Sequence, residues 1–347
     1  MATGPGVTVT AVEVGKMIFE DTRLSANRNQ SCATCHAASA GFADPDVSKA
    51  NPVSEGSIAG KFGDRNAPPS AYAKFAPAFE QIMDPVRGLI YAGGQFLDGR
   101  RDTLEQQAKD PFLNPVEMAN PNKQAVVDKV QNGPYADQFM AVYGSNVFTD
   151  TDTAFDRIAE AIAAFERSDE MNPFNSRFDC FQKDPVQYPL DTQEQMGLNV
   201  FQGKGKCANC HTLDTDPVSG KILFTNFQYF NIGVPANPDN PANKANAGFV
   251  DFGLGGRLGA PAENGKFKTP TLRNIEKTSP YMHNGVFDTL TEVVEFYNIE
   301  EKEFASPPPE VINDINPDVD FLDLNSQQIE ALVAFLKTLT DGTGLCF

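Results

Sequence analysis

CATCH (Cys32–His36) and CANCH (Cys207–His211) decide how this 347-residue chain is read. Each is a C-x-x-C-H pentapeptide, the attachment signal for a c-type haem, in which two thioethers hold the vinyl groups and the adjacent imidazole binds iron. The two copies take four of the six cysteines and two of the three histidines. A C-x-x-C redox pair or half a zinc site is the competing reading, and neither explains a histidine following immediately both times. Cys32, Cys35 and His36 are therefore assigned to one covalent haem, and Cys207, Cys210 and His211 to a second.

Working outward, Gly15-Lys-Met-Ile-Phe19 precedes the first motif and Gly197-Leu-Asn-Val-Phe201 the second. This internal repeat, glycine followed by an aliphatic–Phe pair, suits a short helix leading into the cysteines. A helix is expected from about Thr153 to Arg167, with Phe155, Ile158, Ala159, Ile162 and Phe165 on one face. Another is expected near the end, where Asn325 and Gln328 stand in capping-box spacing ahead of Ile329, Leu332, Val333, Leu336 and Leu339, stopping by Gly342. Both stripes are read as core. Pro-, Gly- and Asn-rich stretches such as 43–69 and 233–268 alternate little, so the predicted class is mainly α, with two cytochrome c-like domains, one covalent haem in each, and long irregular loops. Loops of that length are usually functional or disordered, and covering a haem is a function that fits. The predicted boundary falls in Met171–Pro189, dividing the chain into 1–170 and 171–347.

The net charge of −18 argues against nucleic acid or an anionic membrane as a partner and fits a positively charged redox protein better. There is no apolar run of about 18 residues, the length of a transmembrane helix. The opening MATGPGVTVT has neither the charged nor the apolar region of a secretion signal. Bacterial haem attachment to C-x-x-C-H takes place outside the cytoplasm, so a removed signal and a periplasmic mature protein are expected. An oxidising compartment permits the leftover Cys180 and Cys346 to pair, with two free thiols as the alternative.

What a haem does depends on its sixth coordination position: closed favours electron transfer, open favours peroxide or oxygen chemistry. Between His36 and Asn66 the chain has neither histidine nor methionine, so the usual strong ligands are missing after the first motif. For the second haem, counting alone nominates His283, the one histidine left.

Three further segments carry a resemblance: RNAPPS (Arg65–Ser70), GQFLDGRRDTLEQQAKDPFLNPVEM (Gly94–Met118) and FKTPTLRNIEKTSPYMHNGVFDTLTEVVEFYN (Phe267–Asn298). With the haem motifs they resemble the bacterial di-haem cytochrome c peroxidase superfamily, and especially its MauG-like branch, over most of the chain. The resemblance implies a high-spin, peroxide-reactive haem in the N-terminal half, a low-spin haem in the C-terminal half, and hydrogen peroxide as substrate. High-valent iron formed at the first haem would then oxidise a small periplasmic electron-transfer protein or a protein substrate. The family's glutamate in N-P-x-E-M matches Glu117, a candidate for moving a proton during O–O cleavage; the accompanying pocket residues match Gln107 and Pro111. Taken alone, Glu117 would be read as a solvated carboxylate or a helix N-terminal charge.

In ordinary members the distal methionine of the second haem lies fourteen residues after the histidine of Y-[MF]-H-[DN]-G, and fourteen after His283 is Tyr297. MauG-like proteins carry tyrosine there, so the resemblance makes Tyr297 the iron ligand and His283 a hydrogen-bonding neighbour, with Met282 or His283 as alternative ligands. It also implies one calcium ion between the haems, held by the Asn66 side chain and the carbonyls of Thr278 and Pro280. One departure stands out. Relatives carry F-W-D-G-R, with a tryptophan between the haems, where this chain has Phe96-Leu97-Asp98-Gly99-Arg100 and no tryptophan anywhere. Coupling would then run by another path, through Tyr91 or Phe96, or be weaker. The rival function is a di-haem electron carrier without peroxide catalysis; a third reading, oxygen-dependent cleavage of an organic substrate, would need a deep apolar channel to the first haem.

Overall fold

The computed structural model describes residues 9–299, 308–319 and 321–346. The helices that frame the two motifs are α1 (Ala11–Phe19), α2 (Leu104–Gln107), α3 (Thr151–Glu166), α4 (Arg177–Lys183), α5 (Thr192–Gln202), α6 (Leu290–Tyr297) and α7 (Ser326–Lys337). The strands are short: β1 (Glu80–Asp84) pairs antiparallel with β2 (Gly88–Ala92), and β3 (Tyr229–Phe230) with β4 (Phe267–Lys268). Among the described residues no helix is long and apolar enough to cross a membrane.

Two helix pairs make the frame. Helix α1 packs on α3, and α5 on α7. The repeat explains how: a Cβ built on Gly15 would lie 1.8 Å from the Ala161 carbonyl oxygen, and one on Gly197 would lie 1.9 Å from that of Ala331. Only glycine allows backbones to cross this closely. One turn further along, the repeat's phenylalanines meet a phenylalanine of the partner helix edge-on: Phe19 with Phe165 and Phe201 with Phe335, both with centroids 5.2 Å apart. Local caps fix the helix starts. Asp150 accepts from Thr153 N at the head of α3, and Asn325 and Gln328 exchange side-chain-to-backbone bonds at the head of α7.

The α3 stripe of Phe155, Ile158, Ala159, Ile162 and Phe165 is buried, as the periodicity predicts. On α7 Ala331 and Phe335 are fully buried, while Ile329 and Val333 lie at the margin of the core. Leu332, Leu336 and Leu339 of the predicted stripe are buried, and the apolar face is rotated from it toward Ala331 and Phe335. One apolar core gathers residues from Val14 to Met171 and another residues from Phe178 to Leu339. The segment read as a boundary is not an open linker. It contains α4, whose Asp179 makes a buried two-pronged ion pair with Arg273, 2.9 Å at both contacts. In the same helix Cys180 is disulfide-bonded to Cys346, their Cα atoms 5.4 Å apart.

Candidate functional site

Each C-x-x-C-H motif opens onto its own cavity. The first is lined by Cys32, Cys35 and His36 together with Gln107, Pro111, Asn114 and Glu117. The sequence-predicted group around Glu117 thus converges on the first motif. It does so because α2 and the turn after it fold back across the α1–α3 pair: Glu117 N donates to Asn114 O at 3.1 Å, and Ala26 N to Met118 O at 2.8 Å. The Asn114 amide donates to Glu117 Oε1 at 2.9 Å. Burial lifts the Glu117 carboxyl above its ordinary range, while the nearby Arg100 guanidinium and the Asn114 hydrogen bond pull it back.

The second cavity is lined by Cys207, Cys210 and His211, with Met282, His283 and Tyr297 among its other walls. Helix α6 starts from a Thr289–Glu292 capping box and carries Tyr297 at its last turn. Burial pushes the Tyr297 phenol up, so its phenolate form needs a cation beside it. The His283 ring is engaged on other sides: its Nε2 lies 3.3 Å from Glu310 Oε2, and the ring stacks on Phe267 with centroids 3.9 Å apart.

Both sites fit a haem by the chemistry of their donors. His36 Nδ1 lies 3.1 Å from the Phe42 carbonyl oxygen and His211 Nδ1 lies 2.9 Å from that of Phe224. A carbonyl accepts, so each Nδ1 carries the proton and each Nε2 keeps the lone pair that an iron needs. Burial pushes both imidazoles toward the neutral form, His211 down to about 4. The two carbonyls come from phenylalanines with φ of 64° and 54°, the same unusual left-handed turn in each half.

Five residues, Asn66 to Pro69 and Leu97, line both cavities and form the wall between them. Leu97 thus sits between the sites, and its carbonyl accepts from Lys268 N on β4 at 2.9 Å. Phe96 lines the first cavity alone, beneath the Arg100 guanidinium, whereas Tyr91 lines neither and stacks on Phe79. Of the two alternative routes drawn from the sequence, Tyr91 is therefore displaced from the wall. The wall is braced by ions the sequence reading did not anticipate. Arg65 pairs with Asp98 at 2.7 Å and, through two nitrogens, with Asp251 at 2.6 and 2.8 Å. The Arg in RNAPPS and the Asp in FLDGR were visible signals; nothing in the sequence pointed to Asp251.

Asn66 also belongs to the wall. Its backbone N–H donates to the His283 carbonyl at 2.7 Å, and its side-chain amide meets the Pro280 carbonyl. Turning that amide over would set Oδ1 beside the Pro280 oxygen, a neutral oxygen pair of the kind calcium accepts. Thr278 lies close by on the second cavity wall, preceding the cis Ser279–Pro280 bond. Among the described residues no group of three or more His, Cys, Asp or Glu stands ready for a metal. Carbonyl-based sites are not of that type.

Comparison with known proteins follows the same lines. Residues 9–187 match the family model for di-haem cytochrome c peroxidase. The methylamine utilization protein MauG of Paracoccus denitrificans is 40% identical over 94% of this chain and 88% of its own length. Cytochrome c551 peroxidase of Nitrosomonas europaea is 33% identical over 94% of this chain and 79% of its own. Among solved structures, the diheme peroxidase BthA of Burkholderia thailandensis superposes with a TM-score of 0.83 at 33% identity, covering 98% of this chain and 87% of that one.

Proposed function

The chain belongs to the di-haem cytochrome c peroxidase family and is a haem-dependent oxidoreductase, and from that premise we propose a periplasmic, MauG-like peroxidase whose N-terminal site reacts with hydrogen peroxide. The oxidising power would pass to an external electron donor or a protein substrate. The observation that carries this reading is the convergence of Gln107, Pro111 and Glu117 on the cavity of His36, with no histidine or methionine among the residues lining it apart from His36 itself and Met118. Met118 is buried in the apolar core.

His36 would hold the first haem iron, with Cys32 and Cys35 as thioethers; His211 and Tyr297 would hold the second, with Cys207 and Cys210. A bound haem supplies the site with an iron that accepts a peroxide oxygen and stores oxidising equivalents. The chain's own residues do the rest. Glu117 Oε1 is held by the Asn114 amide, which leaves Oε2 to take a proton from one peroxide oxygen and return it to the other as the O–O bond breaks. A carboxyl lifted toward neutral pH is suited to both halves of that transfer. Gln107 and Pro111 narrow the space in which peroxide turns. At the second site a Tyr297 phenolate would favour ferric and more oxidised iron, whereas a thioether would raise the potential. We assign 1–170 and 171–347 as the two haem-bearing halves, with calcium at Asn66, Thr278 and Pro280 tying them together.

The test is to mix the diferric protein with one equivalent of peroxide, without reductant, and follow optical and EPR spectra on the millisecond scale. The expected result is loss of both ferric signals together, with slow return. Loss of the high-spin signal alone, with a radical appearing, would make the second haem a separate relay. No change at either iron would favour the rival electron carrier.

A further inference from the structure

Six buried side-chain oxygens have no hydrogen-bond partner among the described residues, and three of them cluster at one end of α3. They are Glu166 Oε2, Ser168 Oγ and Asn172 Oδ1. Glu166 is 5% exposed and lines the first cavity; Asn172 is 4% exposed; Ser168 is half-buried, next to the exposed Asp169. The Asn172 amide donates to both the Glu166 and Ser168 carbonyls at 2.8 Å, which folds the three residues into one knot. Helix α2, which carries Gln107, packs against the same end of α3.

Buried polar atoms are almost always paired, and where the protein provides no partner, ordered water usually does. Three orphan oxygens in one knot, with Glu166 on the cavity wall and Ser168 on a half-buried residue beside the exposed Asp169, are positions for bound water between the cavity and the surface. The reaction needs such positions. Breaking the O–O bond needs no solvent proton, because both peroxide hydrogens leave in the first water and Glu117 only moves one of them between the two oxygens. The donor's two electrons then require two protons from solvent to release the remaining oxygen as the second water.

We propose that Glu166 is the inner end of a proton-entry path, continued outward by bound water along Asn172 and Ser168, that supplies the protons consumed in the first cavity. This rests on the peroxidase reading above. Glu166 is a proton-relay residue and does not touch the reacting oxygens. Its electrostatic setting suits the role. Burial pushes the Glu166 carboxyl up to about 8, with Arg167 opposing and Glu105 adding to the rise, so it carries a proton at neutral pH. The cations on the elements packed against α3 are committed elsewhere. Arg167 pairs with Glu105 at 2.6 Å, Lys74 donates to the Arg167 carbonyl, Lys16 of α1 pairs with Glu170, Lys109 with Asp156, and Lys123 with Asp152. The Cys32 thiol, the remaining titratable neighbour, is a thioether once haem is attached and does not titrate.

The experiment uses the haem-loaded protein and its Glu166→Gln and Ser168→Ala variants, with two readouts. Infrared difference spectra against pH should show a protonated carboxyl band in the parent that disappears on raising pH through about 8 and is absent from E166Q. Steady-state turnover with peroxide and an electron donor should slow about tenfold in E166Q, less than loss of a direct acid–base group costs. S168A should slow it less and change the solvent isotope effect. The parent rate should fall as pH rises through the Glu166 transition, because the donor form is lost, and E166Q should lack that limb. A missing carboxyl band, or an E166Q protein with unaltered rate and pH profile beside a reactive parent, would overturn the path and leave the peroxidase reading standing. A parent protein inert to peroxide would overturn both, whatever the infrared band shows.

Discussion

The two haem-binding halves differ less in how they would hold a haem than in what they place across from it. On the attachment side they are nearly superimposable in kind: Gly15 and Gly197 let a helix cross its partner at backbone contact, Phe19–Phe165 and Phe201–Phe335 close that crossing, and a left-handed phenylalanine carbonyl orients each imidazole. On the opposite side they part. The first cavity meets a carboxyl, an amide and a proline; the second meets a tyrosine, with a histidine held by a glutamate and an aromatic ring. The frame is shared because backbone contacts tolerate little change, whereas residues lining the cavity can differ in chemistry without moving a helix. On the proposed function, one frame would serve a reactive site and a closed one.

The largest break in that comparison should come from Glu117→Gln. It should lower the rate of peroxide consumption by about a hundredfold to ten-thousandfold, the usual worth of a general acid–base group, with both haems still attached. Stopped-flow kinetics with pyridine haemochrome quantitation checks this, and an undiminished rate would remove Glu117 from the chemistry. Tyr297→Phe should act on the other half alone. The low-spin signal of the second haem should convert to a high-spin one that binds cyanide, read by EPR; an unchanged low-spin spectrum would shift the ligand assignment to Met282 or His283. The smallest effects should fall on the shared frame. Gly15→Ala and Gly197→Ala each drive a methyl group into a carbonyl and should cost roughly 1–3 kcal/mol, the range for overpacking, in similar amounts. Denaturant unfolding of the haem-loaded variants would show whether the two crossings are energetically equivalent, and a loss at one alone would mean the repeat is structural in only one half.

Much of this was legible before any coordinates. The two pentapeptides, the glycine–phenylalanine repeat and the α3 stripe depend on local spacing, and local spacing survives into the fold because a helix fixes which residues share a face. The match of Glu117, Gln107 and Pro111 to one family segment placed them together in sequence, and the structure places them in the cavity that His36 also lines. Glu166 was missed although it stands one residue past the predicted stripe and four after Ile162, a charge at an apolar position. It reads as an exposed helix end until the packing of α2 buries it.

By itself the sequence determined two C-x-x-C-H motifs, each the signal for a covalent haem, on a repeated helical frame, since cysteine chemistry and helix periodicity are written in neighbouring residues. Tertiary structure alone decided which side chains face each site and which lie between them: the displacement of Tyr91, the Arg65–Asp98–Asp251 brace, the placing of Leu97 and Asn66 in a common wall, and the hidden carboxyl of Glu166. Those depend on segments far apart in the chain meeting at one point. The physical reason is that burial, which sets the charge state of a carboxyl or a phenol, belongs to the packed neighbourhood and not to the residue.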